Sequence, residues 1–213
     1  MVLGINLTFF KEFSSLKIDF IQSEQIVSLI WPGVIVGFII AIITIFRKHY
    51  APITVPLYAL SQGLFLGGIS FMYSQLFEGI VYNAILLTVT ILFSLLLAYR
   101  SGIIKPTENF KLGIFAATGG IALFYFVSII ASFFGTGFSV LDPTNGSMTS
   151  ILVSLFVVII ASLNLVLDFD FIEDGAEKGL PKYMEWYGAF SLMVTLVWLY
   201  IEILRLLMKL RSR

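Results

Sequence analysis

Residues 150–174 read SILVSLFVVIIASLNLVLDFDFIED, an apolar run that ends in a cluster of acids. No charged residue occurs between 150 and 167, and about 20 helical residues are enough to cross the hydrocarbon core of a bilayer. Because lipid offers no water to the backbone N–H and C=O groups, such a segment has to be helical. The run therefore predicts a transmembrane helix with carboxylates at one end.

The composition of the whole chain indicates a membrane protein. The chain is 59% hydrophobic and 12% charged, whereas an average soluble domain is about 25% charged. Its 13 Lys and Arg balance 13 Asp and Glu, so no excess charge favours nucleic acid as a partner. Cysteine is absent and His49 is the single histidine, which excludes disulfides, thiolate nucleophiles and multi-histidine metal clusters. We expect the lipid bilayer as partner and no resident cofactor.

Apolar runs of similar length recur along the chain. By the same length criterion we predict spans at 28–46, 54–76, 80–98, 112–134, 150–168 and 187–207. They are separated by a basic loop at 100–111, a turn-rich loop at 135–147 and an acidic connector from Asp168 to Glu185. The pattern predicts an all-α polytopic transmembrane helix bundle of about six spans, forming one domain over residues 28–210.

Residues 1–27 differ from these spans because charges interrupt their apolar residues too often: Lys11, Glu12, Lys17, Asp19 and Glu24. We expect this N-terminal segment to lie along the membrane interface as an amphipathic segment; a disordered tail is the alternative. It has no n-region, h-region or cleavage site typical of a signal peptide.

Two glycine pairs within the predicted spans have the small-xxx-small spacing that lets helix backbones approach closely, Gly33 with Gly37 and Gly63 with Gly67. We expect ordinary helix packing at both pairs.

The distribution of basic residues does not decide the orientation in the membrane. If all six segments cross, one side holds Arg47, Lys48, Arg100, Lys105, Lys111, Lys178 and Lys182, and the other holds Lys11, Lys17, Arg205, Lys209, Arg211 and Arg213. The short loops near the early spans favour a cytoplasmic position for 47–53 and 99–111. The basic C-terminus conflicts with that assignment.

Asp168 is the first of two acids that a membrane span has to accommodate. Asn164 lies four residues before it and shares its helix face, whereas Asp170 points elsewhere. A carboxylate deep in a span costs about 2.5–3.5 kcal/mol on insertion scales and normally faces a bundle interior or an aqueous cavity. One interpretation of Asp168 is a hydrated helix end, and the other is a functional acid inside the bundle. We expect it to face the bundle beside the last helix.

Glu202 is the second acid and lies inside an apolar run, with Arg205 one turn further on. Thr195, Trp198, Glu202 and Arg205 follow one another at intervals of three or four residues and form one helical stripe. One interpretation is an intrahelical ion pair. The other makes Glu202 an acid in a pathway, paired with Arg205 or with a carboxylate on the preceding helix. Two such carboxylates would share a proton near neutral pH and act as a pH-sensitive latch.

Three segments resemble the Bax inhibitor-1 (transmembrane BAX inhibitor motif) family, bacterial branch: YALSQGLFLGGIS at 58–70, ASLNLVLDFDFI at 161–172 and LVWLYIEILRLL at 196–207. The resemblance covers roughly residues 30–210. It implies a seven-helix bundle with a central last helix, and some members behave as pH-sensitive calcium leaks. In those members an aspartate pair on the last two helices, held by an arginine near the cytoplasmic end of the second helix, closes the pore.

The resemblance can be carried over residue by residue only in part. Asp168 matches the first aspartate, and Arg47 matches the arginine approximately. The second aspartate falls on Thr195, which cannot ionise, so a substitute latch would have to use Glu202, with Arg47 or Arg205 as counter-charge. The family's first helix is expected to be missing, because residues 1–27 are not expected to span.

Two functions follow from the resemblance. The first is a pH-sensitive calcium leak in a bacterial plasma membrane, with weak Ca²⁺ binding at Asp168 and Glu202, since two or three carboxylates are too few for an ion that takes 6–8 oxygens. The alternative is an interaction protein that modulates another membrane complex, such as a membrane protease. We expect no enzyme, because the chain has no Gly-x-Ser-x-Gly, His-Glu-x-x-His or Ser–His combination.

Overall fold

The computed structural model describes residues 30–135 and 138–213, and these residues form helices and connecting loops without any strand. The helices are α1 Ile30–Phe46, α2 Ala51–Leu76, α3 Ile80–Arg100, α4 Glu108–Phe133, α5 Met148–Glu177 and α6 Tyr183–Arg211. Helices α2 to α6 are long and apolar enough to cross a membrane, and α1 is a shorter apolar helix. The predicted all-α bundle is confirmed. The expectation for residues 1–27 falls outside the described residues.

The connections begin and end at residues with a clear local reason. Thr107 and Ser147 cap α4 and α5, each with its side-chain oxygen accepting a backbone N–H of the first turn at 3.3 Å. Gly79 and Gly179 take positive φ values of 74° and 59°, which glycine adopts without steric penalty. Pro181 then prevents α5 from continuing into α6. These caps and turns end one helix and start the next, so that consecutive helices run antiparallel.

The prediction of an acidic connector from Asp168 to Glu185 is wrong. Helix α5 continues to Glu177, so the acids at 168–174 lie on the helix itself and the connector is only 178–182. The extra turns form because their carboxylates have partners: Lys178 bonds Asp174 four residues away at 2.6 Å. Apolar character ends several residues before the helix does.

Helix α6 lies at the centre of the bundle and packs against α5, α2 and α3. Its fully buried Leu199 and Leu204 meet Leu165 of α5 and Ala84 of α3 in the largest core cluster. This central position agrees with what the family resemblance implied. Side chains on α6 can therefore reach several other helices, which is why the polar residues of this helix define the candidate site.

The two glycine pairs behave differently. A Cβ atom on Gly33 would lie 3.0 Å from the backbone N of Phe65 and O of Ser61, so α1 packs closely on α2 at this point. Apart from the neighbouring residues of α2 itself, no described atom lies within 4 Å of a Cβ built on Gly63 or Gly67. Close packing is confirmed for the α1 pair and is not found for the α2 pair.

The bundle has two ends, and their basic residues are not equivalent. The basic end carries the connections 47–50, 101–107 and 178–182, and the C-terminal end carries 77–79, 134–147 and the C-terminus. Arg205 and Lys209 are held inside the bundle, and only Arg211 and Arg213 remain at the C-terminal end of the described chain. Because the positive-inside rule counts flanking residues, the burial of Arg205 and Lys209 reduces the conflict among the described residues.

Candidate functional site

Asp168 lies in the wall of a cavity of about 680 Å³. Helix α5 places it toward α6, with the residue only 7% exposed. Polar lining groups come from three helices: Gln62 of α2, Asn164 and Asp168 of α5, and Ser191 and Thr195 of α6. Apolar side chains of α1 and α4, Phe38 and Phe115 among them, form the rest of the lining. The cavity is therefore mostly apolar, with a few polar side chains contributed by α2, α5 and α6.

The Asp168 carboxylate has hydroxyl neighbours and no cationic partner within the described residues. The Ser191 hydroxyl donates to Oδ1 at 2.5 Å, and Thr195, one turn further along α6, lies beside the same carboxylate. Oδ2 is buried and has no hydrogen-bond partner in the described part of the chain. An ionised carboxylate with a free oxygen in a low-dielectric site favours a proton or a cation next to it.

Asn164 lines the same cavity but its amide is used elsewhere. Its Nδ2 donates to the Thr118 hydroxyl of α4 at 2.9 Å and to the Ile160 carbonyl of its own helix at 2.8 Å. Asn164 thereby fastens α4 to α5 beside the cavity. Asp170 points to another face, as expected, and pairs with Lys111 at 2.7 Å.

Glu202 belongs to a separate buried cluster. It is 2% exposed, and its Oε1 accepts hydrogen bonds from the Tyr125 hydroxyl at 2.9 Å and from Arg205 Nη1 at 3.2 Å. Arg205 also donates to the Tyr125 hydroxyl at 3.1 Å, and Tyr73 of α2 lies beside the same guanidinium. Of the interpretations left open by the sequence, the structure contains the intrahelical Glu202–Arg205 pair, completed by a tyrosine of α4.

Asp168 and Glu202 are not brought together. Asp168 is level with Ser191 and Thr195 of α6, and Glu202 lies seven residues beyond Thr195, which is about 10 Å along a helix. Trp198 occupies the stripe between them and packs into the core. A latch made by a direct Asp168–Glu202 pair is therefore absent from this arrangement.

Arg47 does not reach the carboxylate of Asp168 in the described structure. It is exposed in the connection after α1, without an ion pair to any described residue. Its neighbour Lys48 places Nζ 5.0 Å from the ring centre of Tyr187, which lines the cavity. Lys48 is thus a basic residue that contacts the cavity lining.

A family model described as Bax inhibitor 1 like matches residues 3–212. The chain belongs to this family. The match includes the N-terminal segment 3–27, which differs from the predicted spans in its frequent charged residues. Comparison with curated proteins gives no match, and neither does comparison with solved structures. The family and the five long apolar helices together make this a multi-pass integral membrane protein.

Lys209 is a buried residue of this Bax inhibitor 1 like protein that the sequence reasoning assigned to a flank. It is 1% exposed, and its Nζ donates to the Val140 carbonyl at 2.7 Å and to the Ser154 hydroxyl at 2.8 Å. The signal that locates it is the α6 stripe, because Lys209 follows Arg205 by four residues. It ties the α4–α5 loop and the start of α5 to α6.

Asp142 stands in that loop, outside the spans. The Thr144 hydroxyl and backbone N–H both donate to its carboxylate, at 2.6 Å and 2.8 Å. These two hydrogen bonds, together with the charge of Lys209, hold the pKa of Asp142 below its usual value. Two charged groups therefore hold the loop in place: Lys209 bonds the carbonyl of Val140, and Asp142 accepts two hydrogen bonds from Thr144.

The donors around Asp168 suit a transiently bound cation. No group of three or more Asp, Glu or His side chains that could hold a metal occurs among the described residues. One carboxylate with two hydroxyls supplies fewer than the 6–8 oxygens that Ca²⁺ takes. Water would have to complete any coordination shell in the cavity.

Proposed function

We propose that this Bax inhibitor 1 like protein is a passive cation leak of the plasma membrane, with Asp168 as the acid that attracts the ion. The observation that carries the proposal is the buried Asp168 carboxylate, which has no cationic partner among the described residues and lies in the wall of a cavity of about 680 Å³. A buried acid without a cationic partner is rare and is by default a functional feature of a membrane protein.

Calcium is the cation we propose for this site. Carboxylate and hydroxyl oxygens are the ligands of hard divalent ions, and the small donor set gives weak rather than tight binding. Conduction requires a site that an ion enters favourably and also leaves. Asp168 with Ser191 and Thr195 fits this requirement better than a complete calcium cage would.

The proposal includes a closed barrier between the cavity and the C-terminal end. Beyond Thr195, the side chains of Trp198 and Leu199 pack into the core, and the Glu202–Arg205–Tyr125 cluster follows. We propose that this packed layer closes the route of an ion beyond Asp168 until the helices move. We propose that leak occurs in such an opened state.

The test is calcium entry into proteoliposomes that contain a calcium indicator. Asp168→Asn keeps the size of the side chain and removes its charge. We expect flux to fall at least about tenfold. Attraction between two unit charges at 4 Å is about 4 kcal/mol at an effective dielectric constant of 20, and it is larger for a divalent ion; part of it offsets desolvation. The matched control is Asp174→Asn, which neutralises an exposed acid of the same helix.

The control is expected to conduct like the wild type, since exposed ion pairs contribute little. Equal flux in Asp168→Asn and the wild type would contradict the proposal. Absence of flux through the wild-type protein would contradict it as well and would favour an interaction role.

One observation favours that interaction role as a second candidate. Gly63 and Gly67 are exposed on α2, with no described atom outside their own stretch of that helix within 4 Å of their Cβ positions. Such a face lets another helix approach closely. A photo-crosslinker at Leu64 should then capture one membrane partner, and Gly67→Ile should abolish the adduct. Retention of the adduct in Gly67→Ile would show that this face does not bind the partner.

A further inference from the structure

A second cavity, of about 790 Å³, lies between α3, α5 and the 101–107 loop at the basic end of the bundle. Apolar side chains line its depth: Leu92, Phe93 and Leu96 of α3 and Phe169 and Ile172 of α5. Arg100 and Lys105 lie at its rim. The Asp168 cavity is lined by none of these residues, so this groove is a separate feature of the molecule.

The rim carries more positive than negative charge available to a ligand. Arg100 and Lys105 are exposed, and no ion pair or hydrogen bond joins either side chain to another residue in 30–135 and 138–213. Glu173 is the one acid in the lining, and it accepts a hydrogen bond from the Tyr99 hydroxyl. Two cations without an ion-pair partner therefore face the groove, against one acid in its lining.

The groove extends from the level of the lipid headgroups into the hydrocarbon core, as a phospholipid molecule does. Arg100 ends the apolar sequence of α3, so it belongs at the level of the headgroups. Leu92 lies eight residues earlier, about 12 Å deeper along the helix. Phe93 and Leu96 are exposed on the same side, so the groove is open toward the hydrocarbon.

We propose that this groove binds one anionic phospholipid. Its phosphate is held by Arg100 and Lys105, and one acyl chain lies along Leu96 and Ile172. An arginine fork and a lysine ammonium are suited to phosphate oxygens. Basic pockets between transmembrane helices on the cytoplasmic side recognise anionic headgroups, and the basic end is the side favoured as cytoplasmic.

The experiment is a lipid titration of the purified full-length protein followed by native mass spectrometry. Phosphatidylglycerol is compared with phosphatidylcholine of identical acyl chains. In the variant with Arg100→Gln and Lys105→Gln, affinity for phosphatidylglycerol should fall about 30-fold, since each surface cation contributes about 1 kcal/mol toward an anionic lipid. The control with Lys178→Gln and Lys182→Gln removes two charges of the same end outside the groove and should change affinity less than about twofold.

A second variant tests the contribution of the apolar groove while both cations at its rim are kept. Ala176 lines the groove and is exposed, so Ala176→Trp fills the space while both cations remain. We expect it to reduce phosphatidylglycerol binding as strongly as the charge variant. Equal binding of the two lipids by the wild type would overturn the proposal, as would occupation of the groove by the N-terminal segment. A loss in the charge variant with undiminished binding by Ala176→Trp would overturn the groove and leave only surface attraction.

Discussion

Among the described residues, Asp168 of α5 and Glu202 of α6 are buried carboxylates, and each has one oxygen without a hydrogen-bond partner in that part of the chain. Their charged neighbours differ. Glu202 has a cationic partner in Arg205, a hydrogen bond from Tyr125, and packed side chains around it. Asp168 has the Ser191 hydroxyl, no cation among the described residues, and a cavity beside it. Burial alone therefore does not distinguish a structural acid from a functional one. The unpaired charge and the open space identify Asp168 as the functional candidate.

The largest expected effect is on the Glu202 side of this comparison. Arg205→Met leaves Glu202 buried without its cation, which costs about 3–5 kcal/mol. The variant with both Arg205→Met and Glu202→Leu should recover much of this loss, because neither buried charge remains. Thermal unfolding in detergent measures both, and a single variant as stable as the wild type would show that the pair is not structural.

Lys209 should give the next largest effect, at the C-terminal end. Lys209→Met leaves the Val140 carbonyl and the Ser154 hydroxyl without their buried donor, and unsatisfied buried groups cost about 1–3 kcal/mol each. Arg213→Met is the control, since Arg213 is exposed. The thermal midpoint should fall for the first variant only; a fall of the same size in both would indicate a general effect of charge.

The close contact of Gly33 with α2 offers a way to change the surroundings of Asp168 without changing those of Glu202. Gly33→Val introduces a Cβ 3.0 Å from the α2 backbone and should destabilise the protein by about 1–3 kcal/mol. Gly63→Val, with open space at the same position of its pair, should have little effect on stability. Because α1 lines the Asp168 cavity, calcium flux should also change in Gly33→Val and stay constant in Gly63→Val.

The smallest effect concerns a third carboxylate, Asp142, whose pKa is lowered by hydrogen bonds from Thr144. A lowered pKa in the folded state stabilises the protein above the unfolded value, about 3.9, and that stabilisation is lost as pH falls through the folded value. Asp142→Asn should reduce the thermal midpoint slightly at pH 6, and the reduction should be smaller near pH 3. A constant difference at both pH values would mean that the ionised form is not what these bonds stabilise.

The sequence predicted the bundle well because apolar length is a strong signal. All six predicted spans correspond to helices, and the acid that occupies the cavity wall was identified from the Asn164–Asp168 spacing on α5. The extent of α5 beyond Asp168 was missed because the hydrophobic signal ends before the helix does. Lys209 was missed because it lies near a terminus, where a lysine normally faces water, and its place on the Glu202–Arg205 stripe of α6 was not considered.

The sequence left undecided which charged group pairs with Glu202. Glu202 had Arg205 on its own helix and an acid on the preceding helix as candidates, and only the register between α5 and α6 separates them. That register depends on the packing of Leu165 against Leu199 and Leu204, which no local spacing encodes. Tyr125, the third member of the cluster, is 77 residues away from Glu202 along the chain.

The most direct test of the account is calcium flux measured across roughly pH 6–8 for wild type, Asp168→Asn and Glu202→Gln in the same lipid. We predict that the wild type leaks and that Asp168→Asn loses both the flux and whatever pH dependence the wild-type flux has. Folded Glu202→Gln should keep the wild-type pH profile, because its carboxyl does not line the cavity. An unchanged rate and profile in Asp168→Asn, or a lost profile in Glu202→Gln alone, would contradict the assignment of Asp168 as the functional acid.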